Sequence, residues 1–369
     1  MKRRTWVLAL GVAVMGSLVQ AQSSMIAFSS DRASTDFDIL VMKESGEAQT
    51  PVTFEDAAAR RPSIVFDGTK IVYDDHDNLF MYDGTTDPPT VPNLTAFPSP
   101  AAALCGDKAG GRGCEDADVG PRVQGGLQDG DFLLVFTHET KEAAGAGQSP
   151  GARVANLWLG RVDVSEGQLV DLVQLTFSAT CADPIHYQAA WCGGSHIVWS
   201  REIGDACSAN LYFWEICTMP INVLEPTPIG PVTCQLTTSG SPNYQKANQY
   251  PSCNQNGTME DRMIAFAQSD GLQEERPHDI CTIAFDDLEE GVPFCFVNLD
   301  DPDNIYDDTR PSWSPSGTVL AFASNRPDGG DSPDYEIWVM NADGQGVPQQ
   351  RTTNEVPDDD PDYGAGRLH

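Results

Sequence analysis

Short apolar runs bounded by Gly, Asp, Asn or Pro recur along most of the chain, and the 3.6-residue spacing of an amphipathic helix appears nowhere after the first twenty or so residues. The runs come in pairs. Ile71-Val72-Tyr73, Leu133-Leu134-Val135-Phe136, His196-Ile197-Val198-Trp199, Met263-Ile264-Ala265-Phe266 and Val319-Leu320-Ala321-Phe322 form one series. After a polar turn, each is followed by a second run with a polar residue at its head: Asn78-Leu79-Phe80-Met81, Asn156-Leu157-Trp158-Leu159, Asn210-Leu211-Tyr212-Phe213, Asp279-Ile280-Cys281 and Glu336-Ile337-Trp338-Val339. A short Leu-Thr segment often closes the unit, as at Leu94-Thr95, Leu175-Thr176 and Leu236-Thr237, with Leu299 and Arg351-Thr352 as weaker copies. Ahead of each pair stands an anchor proline, usually with an apolar residue two positions on. The anchors are Pro62, Pro121, Pro184, Pro251, Pro311 and Pro361.

Four short strands per unit, rich in aromatic and β-branched residues, describe the blade of a β-propeller. Unbroken apolar runs in place of strict alternation fit strands covered on both faces by neighbouring sheets. The two ends of the chain are complementary. Met25-Ile26-Ala27-Phe28 and Asp38-Ile39-Leu40-Val41-Met42 copy the second and third strands of a unit, yet no anchor precedes them. Asp360-Pro361-Asp362-Tyr363-Gly364 is an anchor with no unit behind it. The expectation is an all-β, six-bladed propeller in which the C-terminal segment supplies the first strand of the N-terminal blade and so removes two exposed sheet edges.

The last unit carries a more specific signature. Asp308-Thr309-Arg310-Pro311-Ser312-Trp313-Ser314-Pro315-Ser316-Gly317, continued by Leu320-Ala321-Phe322-Ala323-Ser324-Asn325-Arg326 and by Tyr335 to Gly344, resembles the TolB-type (WD40-like) propeller repeat, and Ile26-Ala27-Phe28-Ser29-Ser30-Asp31-Arg32 echoes it. The resemblance implies a periplasmic or secreted propeller. Because the repeats start at Met25, the added N-terminal domain of TolB is expected to be missing. Propellers of this type carry many tasks, so the likeness bears on fold before function.

Residues 1–21 read as a signal peptide: Lys2, Arg3 and Arg4, an apolar stretch from Trp6 to Val19, and small residues ending at Ala21. The stretch is shorter than the roughly 20 residues that span a bilayer, so the expected mature protein, 22–369, is a single soluble domain without a transmembrane anchor. Removing three basic and no acidic residues takes the net charge from −32 to −35. Such a surface repels nucleic acid and anionic lipid and leaves a protein or glycan as the expected partner of a monomer. Ten cysteines, from Cys105 to Cys295, fit disulfides in an oxidising compartment. Pairing of consecutive cysteines would staple loops or neighbouring strands.

Catalytic motifs are sparse. Gly147-Gln148-Ser149-Pro150-Gly151 matches the nucleophile-elbow pattern in letters, but Pro150 has no N–H to offer an oxyanion. His186 and His196 flank strands of one unit and could meet across a hairpin as a metal pair. Asp300, Asp301 and Asp303, with Asp307 and Asp308, and the run Asp358, Asp359, Asp360, supply hard oxygen ligands of the kind Ca²⁺ takes, although solvated turn carboxylates are the plainer explanation. Asn93 and Asn256 sit in glycosylation sequons. The leading expectation is a non-catalytic binding or scaffold propeller using face loops such as Ala101–Asp118 and Lys141–Val154. The alternatives are a polysaccharide lyase or hydrolase with a metal in the central channel, and a Ca²⁺-stabilised secreted module.

Overall fold

The computed structural model describes residues 24–365 apart from 33–35, 54–57, 66, 97–98, 106–112, 123–129, 142–152, 181–182, 206–209, 224–226, 229, 236–245, 256–260, 271–276, 297–305 and 328–333. The chain opens with β1 (Ser24–Ser30), β2 (Asp38–Lys43) and β3 (Thr50–Pro51), then β4 (Arg60–Ile64), β5 (Lys70–Asp74) and β6 (Leu79–Asp83). Next come β7 (Cys114–Arg122), β8 (Phe132–Lys141), β9 (Arg153–Asp163) and β10 (Gln168–Gln174). They are followed by β11 (Ile185–Cys192), β12 (His196–Asp205), β13 (Asn210–Asn222), β14 (Thr227–Pro228) and β15 (Thr233–Cys234). β16 (Lys246–Cys253), β17 (Met263–Asp270), β18 (His278–Ala284) and β19 (Phe294–Cys295) form the next run. β20 (Asp308–Trp313), β21 (Val319–Ser324), β22 (Glu336–Asn341), β23 (Gln349–Gln350) and β24 (Asp358–Ala365) complete the chain. Among the described residues, single helical turns occur at Ala102–Cys105 and Phe285–Asp287.

The strands pair as antiparallel meanders in sequence order, and the nine-stranded sheet is two such meanders joined through one parallel bridge, Trp214 to Ala247. The exception to sequence order is the expected one: β24 lies beside β1, with Ile26 opposite Tyr363 and Ser30 opposite Asp358. The leading strands β24, β4, β7, β11, β16 and β20 pack each against the next, and β20 returns to β24.

The core is divided among the spaces between sheets. Ile26, Phe28 and Met42 meet Ile337 and Val339. Val72 and Leu79 meet Phe132 and Phe136, and Leu133 and Leu157 meet Trp191 and Trp199. Val198 meets Phe266, and Ile280 meets Trp313 and Phe322. Each second strand therefore buries both of its faces, which is why its sequence is an apolar run and not an alternation.

A recurrent side-chain lock explains two features of the repeat. The Thr hydroxyl after the outer strand accepts the N–H of the residue that follows the polar one opening each third-strand apolar run: Thr53 from Ile39 at 2.8 Å, Thr95 from Leu79 at 3.3 Å, Thr176 from Leu157 at 2.9 Å and Thr352 from Ile337 at 2.8 Å. The same hydroxyl donates to the polar residue that opens the run, as in Thr53 to Asp38 and Thr176 to Asn156. In the cysteine-rich unit Gln235 takes the place of Thr and accepts from Ile216 at 3.0 Å. The Leu-Thr segments are thus not outer strands but the locks that follow them. Leu236, Thr237 and Leu299 lie outside the described residues.

Pairing of consecutive cysteines holds for Cys105–Cys114, Cys217–Cys234 and Cys281–Cys295 and fails at Cys192. Cys217 pairs with Cys234, directly opposite in the β13–β15 register, just as Cys281 faces Cys295. Cys192 pairs with Cys253, tying the leading strands of two adjoining sheets over a separation of 61 residues. Cys181 and Cys207 lie outside the described residues. The expected loop Ala101–Asp118 is in part structured: it holds a helical turn, and its last residues begin β7. Most of Lys141–Val154 is not described.

Candidate functional site

Each leading strand slips by a bulge against its second strand, between Arg60 and Ser63, Glu115 and Asp118, Tyr187 and Ala190, Gln249 and Ser252, and Thr309 and Ser312, and on β24 opposite Ala27 and Ser29. At every slip one non-glycine residue is left-handed: Arg61, Asp116, Gln188, Tyr250, Arg310 and Asp360, with φ between 51° and 56°. Such backbone costs of the order of 1–3 kcal/mol per residue and persists where the surroundings impose it. A bulge re-aims the side chains beside it. Here it turns those six residues toward a common space. The alignment corrects two anchors. The equivalents of Pro62, Pro251, Pro311 and Pro361 in the third and fourth units are Ala117 and Ala189, not Pro121 and Pro184.

Two cavities meet along that space. The smaller, about 140 Å³, is lined by the left-handed residues themselves. The larger, about 450 Å³, is walled by Ile64, Val119, Trp191, Cys253, Trp313 and Tyr363 among others. Both share one belt, contributed by the residue two positions beyond each left-handed one: Ser63, Asp118, Ala190, Ser252, Ser312 and Asp362. The channel thus has a charged end, a polar waist and an apolar end.

The waist also fastens neighbouring sheets. Ser63 Oγ accepts the N–H of Val119 at 3.0 Å and Asp118 accepts that of Trp191 at 2.7 Å. Ser312 Oγ accepts that of Tyr363 at 3.0 Å and Asp362 accepts that of Ile64 at 2.7 Å. Ser63 in turn donates to Asp118 at 2.8 Å, and Ser312 donates to Asp362 at 3.1 Å. Each bond runs from one sheet to the next.

At the charged end the ions are paired. Arg61 reaches Glu115 at 2.7 Å and Asp116 at 3.0 Å, while Arg310 reaches Asp360 at 2.8 Å, contacts Asp359 and lies over the Tyr250 ring at 4.9 Å. Burial pushes Asp116 up to about 6 against the pull of Arg61. The waist carboxyls form no salt bridge among the described residues. Burial pushes Asp118 up to about 6 despite its hydrogen bonds from Trp191 and Ser63. Burial, with the charge of Asp118 added, pushes Asp362 up to about 7.

Those raised values have a definite sign. A carboxyl whose folded pKa lies above its unfolded value, near 3.9, adds stability when protonated and withdraws it as pH rises through the folded pKa. Asp118 and Asp362 therefore make the protein lose stability between about pH 4 and 7. Asp362→Asn should flatten this part of the profile in urea titrations at several pH values. A variant whose profile parallels that of the parent would show that Asp362 does not titrate in that window.

The acidic residues singled out in the sequence are placed otherwise than expected. Asp358, Asp359 and Asp360 lie in strand β24, not in a solvated turn, and are engaged by Arg32, Arg310 and, for Asp358, Asn354 at 2.8 Å. Asp308 is paired with Arg326 and Ser324, and Asp307 with His278 at 2.8 Å and with Tyr335. Asp300, Asp301 and Asp303 lie outside the described residues, as do the Gly147–Gly151 motif and Asn256.

His186 and His196 do not form a pair. His186 stands opposite Arg201 and accepts from Trp199 Nε1 at 3.0 Å, with burial pushing its pKa down to about 4. His196 stands opposite Cys192, bonded to Ser195 at 3.0 Å and edge-on to Phe285. Among the described residues the one three-ligand grouping is Glu215, Cys217 and Cys234, whose sulfurs are already joined.

No protein-family model matches the sequence, and no curated protein matches it. Solved structures do resemble it. Hydrazine synthase from Kuenenia stuttgartiensis matches with a TM-score of 0.62 at 12% identity, over 94% of this chain and 47% of that one. TolB from Acinetobacter baumannii matches at 0.56 and 13% identity, over 94% and 67%. A putative TolB from Agrobacterium tumefaciens matches at 0.52 and 18% identity, over 89% and 88%. The chain spans about half the length of the hydrazine synthase chain. At these identities the likeness concerns the fold alone: the protein is a β-propeller, all-β and nearly without helix. No helix among the described residues is long and apolar enough to cross a membrane.

Proposed function

We propose that this is an exported six-bladed propeller of the TolB type, closed by β24, that serves as a non-catalytic binding or scaffold module for a protein or glycan in the cell envelope or outside the cell. The observation that carries the reading is the use made of the channel's charges. Arg61 and Arg310 neutralise the acids at one end, and both carboxyls of the waist accept backbone N–H groups from adjoining sheets. These groups hold the frame together, and a rigid frame presenting loops is the arrangement of a binding protein. Residues 1–21 act as its signal peptide, residues 22–369 form one domain, and the mature protein is a monomer. The disulfides fit an oxidising compartment.

A second reading, a polysaccharide lyase or hydrolase, draws on Asp118 and Asp362, whose values near neutrality suit proton transfer. One paired experiment separates the two. Immobilised protein is exposed to an envelope extract and, in parallel, to uronate polymers with added divalent metal. The binding reading expects a retained macromolecule and no unsaturated sugar released. Turnover of a polymer with nothing retained would replace it with the enzyme.

A further inference from the structure

The channel's apolar end is built like a receptacle with a charged floor. Its volume, about 450 Å³, lies within the roughly 300–1,000 Å³ of small-ligand pockets. Trp191, Trp313 and Ile64 supply broad apolar wall, and Asp118 and Asp362 close the bottom. Gly120 leaves the wall open beside Trp191, since a Cβ there would stand 2.4 Å from the indole Nε1. That Nε1, on a side chain only 1% exposed, has no acceptor. A buried donor left without an acceptor is costly and rare. The floor is unbalanced as well: two carboxyls, each receiving neutral hydrogen bonds, and no cation in a salt bridge with either among the described residues. The acids at the opposite end, Asp116, Asp359 and Asp360, already take up Arg61 and Arg310. Gln188 and Tyr250 bring no further charge at neutral pH, so among the described residues of the channel both cations are already paired with other acids and none is paired with Asp118 or Asp362.

We infer that the apolar end of the channel is a binding site for a primary ammonium group carried on an apolar stem, with the ammonium seated between Asp118 and Asp362 and the stem against Trp191 and Trp313. The inference rests on the reading of the protein as a binding module and adds a ligand chemistry at the apolar end of its channel. An ammonium offers three donors, which the free lone pairs of the two carboxyls can accept, and it supplies the missing charge. Anionic and neutral ligands of the same shape would leave the floor unsatisfied. An acceptor on the stem near Gly120 would also meet the indole N–H of Trp191.

The test uses hexylammonium, hexanol and hexanoate with the whole protein, read by isothermal titration calorimetry at pH 5 and pH 8. At pH 8 hexylammonium should bind at least about tenfold more tightly than hexanol, and hexanoate should not bind. An alkylammonium keeps its charge throughout, with a pKa near 10.4. Its affinity should therefore rise several-fold from pH 5 to pH 8 as Asp118, at about 6, and Asp362, at about 7, ionise. Asp118→Asn with Asp362→Asn should remove this preference, and Ser252→Asp, which adds a third carboxyl to the waist, should strengthen it. Equal binding of hexylammonium and hexanol at pH 8, an affinity indifferent to pH, or no binding of any of the three overturns the inference in the unmodified protein, whatever the variants do. If the unmodified protein retains the envelope macromolecule while hexylammonium fails to bind it, the ammonium site is wrong and the binding role stands.

Discussion

A chain ending at Val356 should melt roughly 10 °C or more below the full-length protein, or lose its cooperative transition altogether. The truncation removes all of β24. With it go the ladder to β1 from Ser24–Ala365 to Ser30–Asp358, at about 0.5–1.5 kcal/mol per hydrogen bond, and the burial of Tyr363 beside Ile26 and Phe28. An aromatic side chain buried in that way contributes about 1.5–3 kcal/mol. Two inter-sheet bonds at the waist disappear as well, Ile64 N–H to Asp362 and Tyr363 N–H to Ser312. The sum, about 5 kcal/mol or more, is of the order of the whole stability of an ordinary domain, near 5–15 kcal/mol. The protein supplies its own comparison. In the last sheet Asp308 holds Arg326 and Ser324 within one continuous stretch of chain. In the first, Asp358 holds Arg32 across the two ends of the sequence. Both leading strands do the same work, but only one is attached by nothing except its contacts. Scanning calorimetry of the two chains decides the matter. A truncated protein melting within a degree or two of the parent would mean that β24 does not close the structure.

The pairing of β24 with β1 could be read in advance because it depends on patterns that repeat. A second strand packed between two sheets has to be apolar along its run, and the third-strand run needs an oxygen just ahead of it to meet the Thr hydroxyl, so Asn78, Asn156 and Glu336 stand out in the sequence as they do in space. The leading strand obeys a different rule. Its requirement is a left-handed residue followed by something that tolerates the bulge, and Ala117 and Ala189 meet it as well as proline does. Proline marks φ, not handedness, so Pro121 and Pro184 stand in for positions four residues earlier and five residues later, Ala117 and Ala189. The Cys192–Cys253 bond was hidden for a related reason. It joins positions that are adjacent only once two leading strands stand side by side. The waist is less legible still, because Asp118 and Asp362 are ordinary residues in their own strands and acquire meaning only where six strands converge. The acidic run Asp358-Asp359-Asp360 advertises itself in sequence and is engaged by Arg32 and Arg310.

Arg310→Ala should cost about 3–5 kcal/mol at pH 7 to 8, the penalty for leaving a buried partner charged and alone. The guanidinium holds two neighbours, Asp359 and Asp360, and covers the Tyr250 ring. Burial by itself would raise the Asp360 pKa; Arg310, Arg61 and Arg60 overcome that and hold it below the usual carboxylate value. Burial wins at Asp359, whose pKa stays raised even beside Arg310. In the parent, Asp360 thus contributes stability that is present above its unfolded pKa and lost as pH falls through the lower folded one. Without Arg310 the balance at Asp360 shifts toward burial. Its folded pKa rises, and that of Asp359 rises further. A raised carboxyl loses stability with increasing pH, so the deficit of the variant should be greatest near pH 8 and shrink toward pH 4, where both acids can take protons. Arg310→Lys, which keeps a charge but not the planar fork that spans both carboxyls and stacks on Tyr250, should fall between the two. Chemical denaturation of the three proteins from pH 4 to pH 8 measures all of this. A deficit under about 1 kcal/mol, or one that does not change with pH, would mean that Asp359 and Asp360 are neutralised by something other than Arg310, and the internal pairing that argues for a binding frame at that end of the channel would fail with it.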